Sequence, residues 1–194
     1  MEFPLNIKDE YLYYWKEAAN QDISNFNEQQ LRAYSGMMMA LNSKQCNEPY
    51  ENLLSLLLGV NNILGKHGFD GVSHDGMEVF EYKPSTIDQK KKNPTGTIND
   101  DTEKKIKKCE DLPYEGKKGW LILAGLNKEK YTIDCIYKFP LEIYTNDRRK
   151  YVENLVQKNK NKDKQTRSTY SISVPKSIGL CKEFNKDYYV WRRD

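Results

Sequence analysis

The sequence predicts an α/β fold in which a mixed β-sheet core is flanked by helices. Apolar residues recur at helical spacing in the first part of the chain, which indicates helices. Later pairs of apolar runs, each joined by a short polar turn, indicate β-hairpins. A length of 194 residues is that of one ordinary domain with a buried core. We therefore expect a single domain over residues 1–194, with N-terminal helices in residues 1–45 and the core in residues 46–194.

Helices are expected at the start of the chain. Residues 7–19 carry Tyr11 and Trp15 on one helical face, and residues 25–41 repeat this pattern with other apolar side chains. Each segment therefore has an apolar face that must be buried against another element.

A further helix is predicted just before the first strand. It begins at Asn47 or Glu48, because Pro49 is preorganised for the first helical position. It is expected to run to Gly65 or Gly68, since apolar residues continue towards that point. This helix is apolar nearly all round, so we expect it to be buried.

A hairpin follows this helix. Its predicted strands are residues 68–73 and 77–83, and Asp75-Gly76 between them is a strong signal for a two-residue type I′ turn. Pro84 either ends the second strand or marks an edge of the sheet.

The rest of the core is expected to begin with a polar connection and continue with strands and a helix. Residues 85–118 are rich in Lys, Asp, Asn and Thr, so they are predicted to form a long connection with one short helix near residues 101–109. The remaining predicted elements are a hairpin of residues 119–126 and 131–139, a helix from Thr145 or Asn146 to residues 155–158, a strand over residues 169–174 and an edge strand over residues 187–191.

Positive charge is concentrated in local clusters. The net charge of +3 is too small to indicate a polyanionic partner by itself. Clusters at residues 90–92 and 104–108 are either phosphate contacts or solvated surfaces. The longest cluster, which we predict to contact nucleic acid, comprises Lys158, Lys160, Lys162, Lys164 and Arg167.

Several classes of protein are disfavoured by the sequence. The four cysteines, at positions 46, 109, 135 and 181, are too far apart for a Cys-x-x-Cys metal site. The N-terminus does not resemble a secretory signal, so we expect a reducing, cytoplasmic setting. The most apolar window, residues 53–64, contains Asn61 and Asn62 and is too short to span a bilayer, so no membrane segment is expected.

Three charged residues are expected to meet on the first hairpin. A type I′ turn at Asp75-Gly76 fixes the register so that Asp70 lies opposite Glu81. Directly opposed residues point to the same face, and Lys83, two positions after Glu81, points there as well.

These charges are of the kind that binds a metal ion. Opposed carboxylates destabilise a hairpin unless something positive lies between them. Mg²⁺ is the economical explanation, because one or two carboxylates hold it together with waters and phosphate oxygens. Lys83 would then orient or deprotonate an attacking water and neutralise charge on the phosphate. The alternative is a surface hairpin on which Lys83 only screens the carboxylates.

The pattern Glu-x-Lys is a weak signal by itself. It also occurs at residues 103–105 and 115–117, which lie in polar sequence. Only Glu81-Tyr82-Lys83 follows an apolar strand and faces an aspartate across a predicted turn.

The segment Phe69-Asp70-Gly71-Val72, followed by a turn and by Glu78-Val79-Phe80-Glu81-Tyr82-Lys83, resembles the PD-(D/E)xK nuclease superfamily, which includes type II restriction endonucleases and Holliday-junction resolvases. The resemblance covers residues 49–139, where a helix and strands follow the order of the family core. Phe69 stands where a proline often precedes the family's aspartate. Asp75 is an alternative motif aspartate, but in the turn it would lie away from Glu81.

The resemblance implies a restriction-endonuclease-like fold and a Mg²⁺-dependent hydrolase that cuts double-stranded DNA. It also implies that Asp70 and Glu81 hold the metal and that Lys83 completes the catalytic set. Glu51, on the preceding helix, is a further candidate catalytic residue, although a helix N-terminus favours a carboxylate for structural reasons too. A long polar loop and a basic segment favour a type II restriction endonuclease, expected as a homodimer on a palindromic site.

Other functions remain open at this stage. A non-catalytic nucleic-acid-binding module would use lysines on phosphates and tyrosines for base stacking, and a metal titration would distinguish it. A structure-specific or repair nuclease of the same superfamily would cut junctions instead of a defined sequence.

Overall fold

The structure, a computed structural model, describes residues 22, 24–28, 48–63, 68–99, 103–127, 132–159 and 169–193. The predicted helix over residues 7–19 lies outside these residues, as does most of the predicted helix over residues 25–41. In the part of the chain that is described, no helix is long and apolar enough to cross a membrane.

Helices and strands alternate along the core. The helices are α1 (Glu48–Leu58), α2 (Glu103–Asp111), α3 (Thr145–Asn159) and α4 (Val174–Glu183), and a 3-10 turn, Leu141–Tyr144, leads into α3. The strands are β1 (Asn61–Asn62), β2 (Gly71–Val72), β3 (Glu78–Thr86), β4 (Thr95–Asn99), β5 (Lys118–Asn127), β6 (Thr132–Pro140), β7 (Thr169–Ser173) and β8 (Tyr189–Arg192).

The main sheet contains strands of both orientations. Six of the described strands form it in the order β1-β2-β3-β5-β6-β8. β3 and β5 run parallel, whereas the other neighbouring strands are antiparallel. β4 and β7 form a separate antiparallel pair. The predicted α/β class, a mixed sheet flanked by helices, is therefore confirmed.

The centre of the main sheet is buried on both faces. On one face, Leu54 of α1 belongs to a core cluster with Phe80 and Ile122. On the other face, Leu121 belongs to a second cluster with Ile172 of β7. Successive residues of β5 alternate between the two cores because side chains along a strand point to opposite faces. This double burial explains why residues 119–126 of β5 are apolar without interruption.

α1 is shorter than predicted. It ends at Leu58 instead of at Gly65 or Gly68. Gly59 follows in the left-handed region with a φ of 66°, a conformation that commonly ends a helix. The predicted end was wrong because the apolar sequence continues past the glycine that stops the helix.

Residues 85–118, expected as a long polar connection, contain an additional strand. β4 lies within them and pairs with β7 from Thr95 opposite Ser173 to Asn99 opposite Thr169. The short helix expected near residues 101–109 is confirmed as α2. β4 was missed because its polar sequence becomes a strand only through a partner far along the chain.

The later elements follow the prediction except for one helix. β5 and β6 form the expected hairpin, α3 begins at Thr145, and β8 is the expected edge strand. α4 was not predicted, although the Ser173 side chain caps it by accepting from the Lys176 N–H and Pro175 lies in its first turn. These are ordinary helix start signals, and they were sufficient to find α4.

Pro84 lies inside β3 and does not end it. It pairs with Ala124 of β5. β2 pairs only with Val79 and Phe80, so beyond that point β3 has no other ladder partner among the described strands. Proline tolerates such a position because it has no N–H to leave unpaired.

Candidate active site

The first hairpin has the register that the sequence predicts. Val72 lies opposite Val79. The ladder between β2 and β3 ends at Gly71 opposite Phe80. The N–H of the preceding residue, Asp70, also donates to the Phe80 carbonyl, and the charge of Glu81 acts on the Asp70 carboxylate. Lys83 lies two positions further along β3 and shares the face of Glu81. The predicted register is therefore confirmed for Val72 and Val79, and the direct opposition of Asp70 and Glu81 stays a prediction.

The turn that produces this register is not the predicted type I′. Gly76 has a φ of 74°, but Asp75 is not in the left-handed region, as type I′ requires. The N–H of Gly76 donates to the Ser73 carbonyl at 2.9 Å. The Asp75 carboxylate accepts from the Met77 N–H at 3.0 Å. A longer loop built on Asp75 therefore keeps the same residues opposed.

Asp70 is fixed by hydrogen bonds at the point where β2 leaves β3. Its N–H donates to the Phe80 carbonyl at 2.8 Å, and its carbonyl accepts from the Ile63 N–H at 2.8 Å. Its Oδ2 accepts from the Tyr82 N–H at 2.6 Å. The carboxylate thus takes the place that a strand carbonyl would occupy beside β3. Sequence reasoning missed this contact, because periodicity does not reveal a bond from side chain to backbone.

Lys83 is bound next to Asp70, but to other partners. Its Nζ forms an ion pair with Glu81 Oε1 and donates to the Tyr82 carbonyl at 3.1 Å. Both side chains of the pair are 21% exposed, so the pair is only partly screened by water. An ammonium group has three donors. Two are used here, and one remains for another acceptor.

The surroundings of Asp70 disfavour its ionised form. Burial raises the pKa of Asp70, and the Glu81 charge raises it further, to about 7 in all. Lys83 and the Tyr82 N–H act in the opposite direction without cancelling the rise. The prediction that one pKa of the pair should be raised is thus confirmed, with burial as the main cause. Near neutral pH, Asp70 is therefore divided between its protonated and ionised forms.

Glu51 lies in the first turn of α1, and its charge acts on this cluster. Its charge contributes to the raised pKa of Asp70 and also to that of the Tyr82 hydroxyl, for which burial is the main cause. The buried Tyr82 hydroxyl accepts from Ser55 of α1 at 3.0 Å, which ties the helix to β3. Both explanations of Glu51, helix start and metal support, fit this position, and its catalytic role stays a prediction.

Glycines allow the close packing around the site. A Cβ on Gly71 would lie 2.3 Å from the Tyr82 hydroxyl oxygen, and a Cβ on Gly96 would lie 2.7 Å from Lys83 Cβ. The backbone of β4 at Gly96 therefore packs against the aliphatic part of the Lys83 side chain. The sequence did not predict this support, because β4 itself was not predicted.

The donor atoms suit a magnesium ion that keeps part of its water shell. Among the described residues, no group of three or more His, Cys, Asp or Glu side chains forms a complete metal cage. Mg²⁺ needs only one or two carboxylates, since water and substrate phosphate supply its other ligands. Within the same residues, Asp70 Oδ1 and Glu81 Oε2 accept no hydrogen bond. The residues present therefore fit this ion.

The remaining candidates are the alternative motif aspartate and the basic run. The Asp75 carboxylate is engaged in the turn with Ser73 and Met77, which favours Asp70 as the motif aspartate. Lys158 lies in the last turn of α3, but the structure does not describe its side chain. The rest of the basic run lies outside the described residues, so its role stays a prediction: Lys160, Lys162, Lys164 and Arg167.

No protein-family model and no curated protein sequence matches this chain. The functional assignment therefore depends on the geometry of the hairpin and on the motif that it carries.

Proposed function

We propose that this chain is a Mg²⁺-dependent endonuclease that hydrolyses phosphodiester bonds in double-stranded DNA, with a restriction-endonuclease-like fold and a type II restriction role. The observation that carries the proposal is the grouping of Asp70, Glu81 and Lys83, in which burial and a neighbouring carboxylate raise the pKa of Asp70 to about 7. Strong pKa perturbation by burial and a charged partner is typical of functional sites. The resemblance of these residues to the PD-(D/E)xK superfamily indicates the same chemistry.

The carboxylates are the proposed metal ligands. Asp70 Oδ1 and Glu81 Oε2 would hold the ion. Asp70 is kept in place by the Tyr82 N–H, which binds its other oxygen at 2.6 Å. When bound, Mg²⁺ supplies Lewis-acid stabilisation of charge on the phosphate. A cation held by these two carboxylates would offset the effects of burial and of the Glu81 charge, which together raise the pKa of Asp70.

Lys83 is the proposed group for the attacking water and the phosphate. Its remaining donor is available to a water or to a phosphate oxygen. Gly96 packs against its stem, which limits the side-chain freedom that would otherwise be lost on binding substrate. A fixed ammonium group beside developing negative charge is an effective electrostatic catalyst.

The exposed loop after β3 offers a surface for DNA. The Asp88 carboxylate accepts from the N–H groups of Lys90 and Lys91, each at 2.7 Å, so the loop has a defined turn. Lys90, Lys91 and Lys92 are all exposed. Their charges favour contact with phosphates on any sequence. The homodimer expected for a palindromic site stays a prediction.

Cleavage of supercoiled plasmid in Mg²⁺ tests the proposal. Asp70→Ala and Lys83→Ala should each reduce cleavage by at least about a hundredfold, and the double variant should be little worse, because these groups act as a unit. Lys117→Ala is the matched control. Lys117 also belongs to a Glu-x-Lys sequence and pairs with Glu115 at 2.9 Å, but it lies outside the site. Its removal should leave cleavage unchanged.

The variants also separate the two roles. Lys83→Ala should still bind Mg²⁺, whereas Asp70→Ala should bind it more weakly. Full cleavage by folded Lys83→Ala would refute the nuclease proposal. Binding of DNA without any Mg²⁺-dependent cleavage by the wild-type chain would favour the non-catalytic binding module instead.

A further inference from the structure

A second candidate site lies near the start of β3, away from the carboxylate cluster. The described residues line a cavity of about 610 Å³ there, which lies within the roughly 300–1,000 Å³ of typical small-molecule pockets. Trp120 and Lys138 line it together with the apolar side chains of Leu112, Pro113 and Leu141. The exposed side chains of Lys118, Glu142 and Lys186 also line it.

Lys138 is buried and makes no hydrogen bond to a described residue. Its side chain is 3% exposed. Its Nζ lies 3.9 Å from Glu78 Oε2, which is beyond hydrogen-bond distance. Glu78 Oε1 is already used, because it accepts from Trp120 Nε1 at 2.9 Å. In the part of the chain that is described, no acceptor therefore satisfies the three donors of this ammonium group.

Aromatic rings stabilise the positive charge of Lys138 but do not accept hydrogen bonds from its N–H groups. The Lys138 Nζ lies 4.0 Å from the centroid of the Trp120 ring and 6.0 Å from that of Tyr189. Such cation–π contacts stabilise the charge, yet they leave the N–H groups without an acceptor. Burial lowers the pKa of Lys138, whereas Glu78 raises it and Lys118 lowers it further. A buried cation with unused donors beside a cavity is an arrangement that an incoming anion would complete.

We propose that this cavity binds a small organic anion, whose carboxylate, phosphate or sulfonate group accepts hydrogen bonds from Lys138 and whose planar apolar body lies against Leu112, Pro113 and Leu141. The volume admits a molecule of about the size of two fused rings with a substituent. Lys118 adds positive charge at the exposed side of the cavity and has no ion pair with a described residue. Binding here is separate from DNA cleavage.

Fluorescence titration with 8-anilinonaphthalene-1-sulfonate tests this site. The folded wild-type chain should bind one equivalent saturably. N-phenyl-1-naphthylamine, the same aromatic body without the sulfonate, should bind at least tenfold more weakly. Lys138→Met should lose at least tenfold in affinity for the sulfonate, while its affinity for the neutral probe should change little.

Lys176→Met is the matched control. Lys176 also lies over an aromatic ring, 3.9 Å from the Tyr170 centroid, and pairs with Asp147 at 2.7 Å, but it does not line the cavity. This variant should bind the sulfonate like the wild type, and so should Asp70→Ala, whatever its cleavage activity.

The proposal is overturned by equal affinity of wild type and Lys138→Met for the sulfonate, or by absence of saturable binding. If Lys138→Met does not fold, the comparison of the charged and neutral probes on the wild-type chain decides. Equal affinity for both probes would then contradict the proposed anion contact.

Discussion

Asp70 and Asp147 have similar neighbours, but their pKa values are shifted in opposite directions. Each carboxylate lies close to a tyrosine and a lysine. Burial raises the pKa of Asp147, but hydrogen bonds from Lys176 and Tyr170 outweigh burial and leave that pKa lowered. For Asp70, burial and the charge of Glu81 prevail, and its pKa rises to about 7. The ionised form of Asp147 is therefore stabilised by its neighbours, whereas the ionised form of Asp70 is not.

The difference arises from where the neighbours direct their donors. At Asp147, both the Tyr170 hydroxyl and the Lys176 ammonium donate to the carboxylate. At Asp70, the neighbouring lysine binds Glu81 instead, and the Tyr82 hydroxyl is turned to Ser55. Local conflicts of this kind, which reduce stability, are expected where a protein has been shaped for function.

The largest expected effect is a gain in stability from Asp70→Asn. The folded-state pKa of about 7 lies above the ordinary value of 3.8, so the folded state holds its proton more tightly than the unfolded state. The stability contributed by the protonated form is fully present below about pH 4 and is lost as the pH rises through 7. Asparagine removes this loss and can still accept from the Tyr82 N–H.

Denaturant unfolding with and without Asp70→Asn measures this effect. The variant should match the wild type near pH 4 and exceed it by about 4 kcal/mol at pH 8, at roughly 1.4 kcal/mol per pKa unit. A variant that is less stable at pH 8 would mean that Asp70 is satisfied in the folded state after all.

A smaller loss is expected when the support of Asp70 is disturbed. Gly71→Ala would place its Cβ 2.3 Å from the Tyr82 hydroxyl, so the buried Tyr82 ring or the β2 backbone must shift. Overpacking of this kind costs about 2 kcal/mol, which thermal unfolding can measure. Gly179→Ala is the control in the region of Asp147, since no atom lies within 4 Å of its added Cβ. It should be neutral or slightly stabilising, and an equal loss in both variants would contradict the close packing at Gly71.

The smallest expected effect concerns Asp147→Asn, and its sign is reversed. The lowered pKa of Asp147 contributes stability that is present above its ordinary pKa and disappears as the pH falls. Because the side chain is 36% exposed, solvent screening limits the loss at pH 7 to about 1 kcal/mol. Once the pH falls below the lowered pKa of Asp147, the variant and the wild type should unfold alike. A stabilised variant at pH 7 would remove the contrast with Asp70.

The sequence predicts the part of the site that depends on local register. Alternation along β3 and the turn signal near Asp75 were sufficient to bring Asp70 close enough to Glu81 for their charges to interact, even though the turn type was wrong. The register persisted because the longer loop leaves the same pairs opposed, with Val72 still across from Val79. The helices and strands with strong apolar patterns, such as β5, were predicted for the same local reason.

Long-range contacts account for what the sequence did not reveal. β4 depends on β7 for its ladder, and its backbone reaches Lys83 only through the small size of Gly96. The bond from the Tyr82 N–H to Asp70 depends on where β2 ends, which no periodicity records. The buried Lys138 resembles any lysine in a strand until Trp120 and Glu78 are packed around it.

Calorimetric titration of Mg²⁺ between pH 5.5 and 8.5 tests most directly whether Asp70, with its raised pKa, binds a metal ion. Because the ion must displace the proton from a carboxyl group whose pKa is about 7, affinity should rise by about tenfold per pH unit below 7 and level off above it. Titrations in two buffers of different ionisation enthalpy should show about one proton released per ion bound near pH 6. Asp70→Asn should bind more weakly and release no proton. Affinity that is independent of pH, or unchanged in Asp70→Asn, would contradict the assignment of this hairpin as a metal site.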